Sequence, residues 1–156
     1  MKHGDVVRAA APLSALLLLT ACGTGERICT LRGSLSGIRV VVAPKLADKV
    51  ADAGLTACWD GSCREGGLRL REEENHGSSS EPASPWPGFA VVPDLPKDGK
   101  TAVRVTVVLK DASGATVVDE QIAVVPKPTY PNGRRCAPGS PQGRVHIGVD
   151  GTLSTR

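Results

Sequence analysis

The sequence predicts an all-β protein, an antiparallel two-sheet sandwich of about seven short strands preceded by a signal peptide. Three observations predict it. Apolar and polar residues alternate with period two in several short runs, most cleanly Val103, Val105, Val107 and Leu109 against Arg104, Thr106 and Lys110. Turn residues separate those runs: the 156-residue chain has 18 Gly and 12 Pro, with Asp60-Gly61 as the strongest short hairpin signal. Helical spacing shows only around Leu46 and Val50, four apart within residues 45–53, enough for one or two turns crossing between strands.

Residues 1–21 have the three parts of a secretory signal peptide in order: a charged start with Lys2, His3 and Arg8, an apolar run from Ala9 to Leu19, and a small-residue exit. The apolar run falls well short of the roughly 20 residues a spanning helix needs. Leu19, Thr20, Ala21 and Cys22 resemble the lipobox of bacterial lipoproteins at all four positions. The resemblance implies cleavage before Cys22, beside the small Thr20 and Ala21, and lipidation of the Cys22 thiol. Two or more acyl chains anchor stably where one is marginal. The expected location is therefore the extracytoplasmic face of the cell membrane, with the membrane as partner through the N-terminal lipid.

Residues 22–33 read as the lipidated N-terminus and tether, polar apart from Ile28 and Leu31 and fixed at its end by Cys29. A single β domain is expected over 34–156. Its first strand sets Ile38, Val40 and Val42 against Arg39, Val41 and Ala43, and Pro44 stops it. Residues 54–70 read as a hairpin, with Leu55, Ala57 and Trp59 on the face that Leu68 and Leu70 rejoin after the turn. Residues 71–87 hold Glu72, Glu73 and Glu74, then His76, serines and prolines; too little apolar surface is present to offset ordering entropy, which predicts a flexible loop. Short strands follow at 89–92, 101–110 and 116–125, where Val118, Ile122 and Val124 share a face. After a Pro- and Gly-rich stretch with an Asn132-Gly133 turn, the last strand sets Val145, Ile147 and Val149 against Arg144 and His146.

With Cys22 committed to lipid, Cys29, Cys58, Cys63 and Cys136 remain, an even number in an exported chain, so two disulfides are expected. A two-residue turn at Asp60-Gly61 makes Trp59 face Ser62 and Cys58 face Cys63. Cα atoms of such a non-hydrogen-bonded pair lie about 4.5 Å apart, within the bridging range of about 4.4 to 6.8 Å. The hairpin predicts Cys58–Cys63, which leaves Cys29–Cys136.

Removing Lys2, Arg8 and Asp5 lowers the formal charge from +3 to +2. No basic stripe interleaved with aromatics runs along the chain, so no nucleic acid is expected as partner. No zinc-type spacing, calcium loop, phosphate cradle or nucleophile elbow appears, and His76 and His146 read as solvated, so no metal, cofactor or enzymatic activity is expected. Aromatics are few, Trp59, Trp86, Phe89 and Tyr130, so the core must be aliphatic.

The strand layout resembles immunoglobulin-like sandwiches. Together with the lipobox, the Cys58 to Cys63 hairpin and the Pro131, Asn132, Gly133 and Cys136 segment, it looks like small secreted lipoproteins of high-GC Gram-positive actinobacteria, whose function is unknown. Trp59 directly after Cys58, and Tyr130 six before Cys136, depart from the antibody pattern, so only the sandwich carries over. The functional expectation is a small binding or interaction module whose recognition surface lies in the loops 72–88 and at the Trp59 to Ser62 tip, with Trp59, Trp86 and Phe89 as candidate contacts. Trp86 sits between Pro85 and Pro87, which would reduce the entropy lost on capture. An envelope protein or cell-wall polymer is the expected kind of partner; the alternative is a structural or accessory cell-envelope protein.

Overall fold

The structure, a computed structural model, describes residues 28–70 and 86–155. The expected signal peptide, Cys22 and the expected tether up to residue 27 lie outside the described residues, as do residues 71–85 with His76 and the Glu72 to Glu74 run. Strand accounts for 50% and helix for 4%, so the chain is all-β.

The strands are β1 (Gly37–Val42), β2 (Asp52–Trp59), β3 (Ser62–Leu70), β4 (Trp86–Val91), β5 (Val103–Lys110), β6 (Thr116–Val124), β7 (Lys127–Pro128), β8 (Pro141–Ile147) and β9 (Leu153–Ser154). One helical turn, α1 (Pro44–Ala47), follows β1. Pro44 opens α1 as well as closing β1, because its fixed φ suits a first helical turn and its missing N–H would be unpaired there anyway.

Architecture departs from the expected sandwich. All nine strands belong to one mixed sheet, ordered β6-β5-β2-β3-β4-β1-β8-β7, with β9 also on β8. Every pair is antiparallel except β1 with β8, which run parallel with Val40 beside Val145. The sheet curls until β6 comes against β8 and β9, nearly closing a barrel. Glycine permits this seam: a Cβ on Gly143 of β8 would lie 2.6 Å from Ile38 Cδ1 and 2.7 Å from a Val124 methyl of β6. A barrel and a sandwich both satisfy the same alternation, since each needs only one buried face per strand.

The buried face forms a single core containing Ile38, Val40, Val42, Leu55, Ala57, Leu68, Ala90, Val103, Val105, Val107, Leu109, Val118, Val124, Val145 and Ile147. Each fully buried Val, Leu or Ile contributes roughly 1.5 to 3 kcal/mol. Leu46 and Ala47 of α1 enter it at the end where β1 finishes, and Leu95, beyond β4, enters at the opposite end.

Several boundaries move. Trp86 and Pro87, expected in the flexible loop, are the first residues of β4, paired with Val42 and Val41. The expected helical region shortens to one turn because Asp52 already pairs with Lys110 of β5. Val149 lies beyond β8 and is 65% exposed, because the Gly148 N–H donates to the Thr152 carbonyl and turns the chain there.

Both disulfides form as expected. Cys58 stands opposite Cys63 across a two-residue turn whose residues, Asp60 at φ 46° and Gly61 at φ 74°, are both left-handed as a type I′ hairpin requires. The Cys58–Cys63 Cα separation is 4.0 Å, and that of Cys29–Cys136 is 5.9 Å.

Candidate functional site

Alternation decides what the outside of the sheet carries. On β1, Ile38, Val40 and Val42 point into the core, which leaves Arg39 exposed on the other face. By the same period, Arg69 of β3, Phe89 of β4 and Arg144 of β8 face outward. Register then brings them into line: Phe89 pairs with both Arg69 and Arg39, and Arg39 pairs with Arg144. Neighbouring strands lie about 4.8 Å apart, so the row Arg69, Phe89, Arg39, Arg144 spans about 14 Å across four strands.

Among the described residues the strand positions on either side of this row carry no carboxylate, while at its β3 end Asp52 of β2 lines a depression together with Arg69. Beside it lie Val91, Gly37 and Gln142, and on the other side Pro87, Val41 and His146. Arg39 and Arg144 thus stand directly opposite each other as like charges, an arrangement that weakens a sheet unless something neutralises it. The Phe89 ring is half-buried against β1 because Gly37 leaves room: a Cβ there would lie 2.7 Å from Phe89 Cζ. Phe89 therefore packs on the outer surface of the sheet and is not a plug of the core.

Two open depressions meet at Arg39. One, of about 480 Å³, is lined by Arg39, Arg69, Phe89 and Val91. The other, of about 520 Å³, is lined by Arg39, Arg144, Gln142 and Lys127. Lys127 Nζ donates to the Gly99 carbonyl at 2.7 Å, so its charge is partly engaged.

The remaining predicted residues are placed elsewhere. Trp59 closes one end of the β2–β3 hairpin, half-buried against the core, with the Arg64 guanidinium 5.9 Å from the centre of its ring. It borders a third depression, of about 580 Å³, with Cys58, Cys63, Ala102 and Arg104. Trp59 and Phe89 do not come together, since β2 and β4 are separated by β3. Trp86 stands on β4 opposite Val42, and its side chain lies outside the described residues. His146 is not solvated: it is half-buried, and its Nε2 is enclosed without a hydrogen-bond partner.

Carboxylates with shifted acidity serve turns. The Thr101 hydroxyl, then the backbone N–H groups of Lys100 and Thr101, hold Asp98 down at about 2. Asp111 is lowered first by the Ser113 hydroxyl, and Asp150 by that of Thr152. Each side chain bonds its own loop, which fixes a turn and keeps the group ionised.

Sequence reasoning missed Arg39, Arg69 and Arg144 as a set. It found no basic stripe because none exists along the chain; the stripe exists across strands, where residues far apart in sequence become neighbours. Each arginine showed only as an outward position of an alternating run. No protein-family model matches the chain, and neither the curated proteins nor the solved structures compared with it give a match.

Proposed function

We propose that the chain is a lipid-anchored, extracytoplasmic binding module, and that it holds a linear anionic polymer of the cell envelope across the row Arg69, Phe89, Arg39 and Arg144. The observation that carries this reading is the row itself: three guanidiniums and one ring in line on the outer sheet face, with Arg39 and Arg144 side by side and Asp52 of β2 beside Arg69 alone. Guanidinium groups suit carboxylate and phosphate equally, through paired donors. Two open depressions that share Arg39 as a wall suit an extended chain more than a small molecule that is enclosed. Lipobox and disulfides agree with an exported location. The reading moves recognition from the loops to the sheet face, keeps Phe89 as a contact, and assigns no reaction.

The test uses the chain from residue 22 onward with Cys22→Ser, so that no lipid is present. Among the described residues every buried Val, Leu and Ile lies between Ile38 and Ile147, so this chain keeps the whole core. Calorimetric titrations against a poly(glycerol phosphate) and against polygalacturonate, each at several salt concentrations, separate phosphodiester from carboxylate recognition. With three arginines engaged, log K should fall against log salt with a slope of about −2, and each Arg→Gln change at 39, 69 or 144 should flatten it by about 0.7. Phe89→Ala should weaken binding without changing the slope. Wild-type affinity for both polymers in all three arginine variants would refute the site. Tighter binding of single-stranded DNA than of either polymer would refute the choice of ligand.

A further inference from the structure

A second surface is built where the chain enters the domain. Residues 28–35 are strapped to residues 129–140 by the Cys29–Cys136 bridge and by the side chain of Asn132. Asn132 Oδ1 accepts from the Arg32 N–H at 3.1 Å and from the Thr30 hydroxyl at 2.5 Å, while Asn132 Nδ2 donates to the Arg32 carbonyl at 3.0 Å. That amide does for the entering segment what a neighbouring strand would do, and the Ser34 hydroxyl adds a bond to Thr129 at 2.6 Å.

The strapped pole is unusual in what it exposes. Ile28 and Leu31 are almost wholly exposed, Leu35 is 63% exposed, and Tyr130 is exposed with the Arg134 guanidinium 5.5 Å from its ring centre. Exposed large apolar residues are otherwise few among the described residues: Val91, Val125 and Val149. The same two segments contain Arg32, Arg134 and Arg135 and no Asp or Glu. Aliphatic side chains, a tyrosine and arginines gathered at one place are the composition of a surface that lies at a lipid headgroup layer. Ile28 follows Cys22 by six steps along the chain, and at no more than about 3.6 Å per step the pole stays within about 22 Å of a lipidated Cys22.

We propose that this pole is a second membrane contact, which lays Ile28, Leu31, Leu35 and Tyr130 against the bilayer surface and its arginines against anionic headgroups. Its orientation rests on the lipid anchor at Cys22; its affinity for lipid does not. The lipid then acts as a leash, and the strapped pole decides which way the domain faces. With a weak contact linked to a stable anchor, the weak one forms at the high effective concentration that the anchor imposes.

The experiment again uses the unlipidated Cys22→Ser chain from residue 22, sedimented with phosphatidylcholine vesicles that contain or lack phosphatidylglycerol. Binding is expected to the anionic vesicles, to weaken with salt, and to fall about fivefold for each of Arg134→Gln and Arg135→Gln, the effect of one basic residue at an anionic leaflet. Leu31→Ser should lower the binding that persists at high salt. These side chains are exposed, so melting temperatures should stay at the wild-type value and report folding independently. Equal sedimentation of wild type and the Arg134→Gln, Arg135→Gln double variant would overturn the proposal. So would loss of vesicle binding on Arg39→Gln, which would place the lipid on the sheet row. Failure of the anchor is read separately: intact mass of the exported full-length chain shows whether Cys22 carries lipid, whatever the vesicles show.

Discussion

Replacing Cys29 and Cys136 together by Ser should destabilise the protein far more than replacing Cys58 and Cys63, although both pairs sit at the surface. The long bridge spans a sequence separation of 107, the short one a separation of 5. Chain entropy assigns about 4.8 kcal/mol to the first and about 2 kcal/mol to the second. At about 2.1 cal/mol/K per residue over roughly 120 ordered residues, these become losses in Tm of about 19 °C and about 8 °C. Cys29 lies shortly ahead of β1 and Cys136 shortly ahead of β8, so the bridge brings together the starts of the one parallel pair among the described residues, whose pairing otherwise requires closing the chain from Gly37 to Gln142. Shortening that closure from about 105 to about 15 residues saves about 1.7 kcal/mol of loop entropy, worth up to about twentyfold in refolding rate if the pair forms before the barrier. Scanning calorimetry and stopped-flow refolding of the two double-serine variants measure both effects. Equal Tm losses, or a larger loss for the Cys58 and Cys63 pair, would show that the long bridge merely decorates an already ordered pole.

Glycine positions give a second contrast, read by urea denaturation. Gly37→Ala would drive a methyl into the Ala90 carbonyl and the Phe89 ring and should cost about 1 to 3 kcal/mol, whereas Gly54→Ala meets nothing within 4 Å and should be stabilising by about 0.5 kcal/mol; a tolerated Gly37→Ala would contradict the placement of Phe89 on β1. The turn carboxylates predict an acid limb: Asp98 sits at about 2 in the fold against 3.8 unfolded, so its stabilisation is complete above the higher value and is lost as pH falls from 3.8 toward 2. Melting curves of wild type should therefore drop over that interval, and Asp98→Asn should be less stable at neutral pH and show a shallower drop; parallel profiles would remove Asp98 from the acid limb.

Local features were legible in the sequence because neighbours in sequence determine them. Asp60 and Gly61 specify a two-residue turn, the turn specifies the register, and the register places Cys58 opposite Cys63. The remaining two cysteines then had one partner each. Alternation likewise identified Val103, Val105, Val107 and Leu109 as a core face, since period two assigns every residue of a strand to one side or the other. It is silent about which strand lies next to which. The same pattern fits a sandwich and a nearly closed barrel, and nothing local announces that β8 returns to lie parallel beside β1, or that Gly143 lets β6 close upon it. That choice was made by the tertiary structure, through twist and the packing of one continuous apolar face upon itself. The candidate site is a product of the same choice: Arg39, Arg69 and Arg144 each follow from alternation as outward residues, but their alignment with Phe89 depends on the register of four strands drawn from distant parts of the chain. Side-chain direction is set by the backbone period, and lateral neighbours only by the fold.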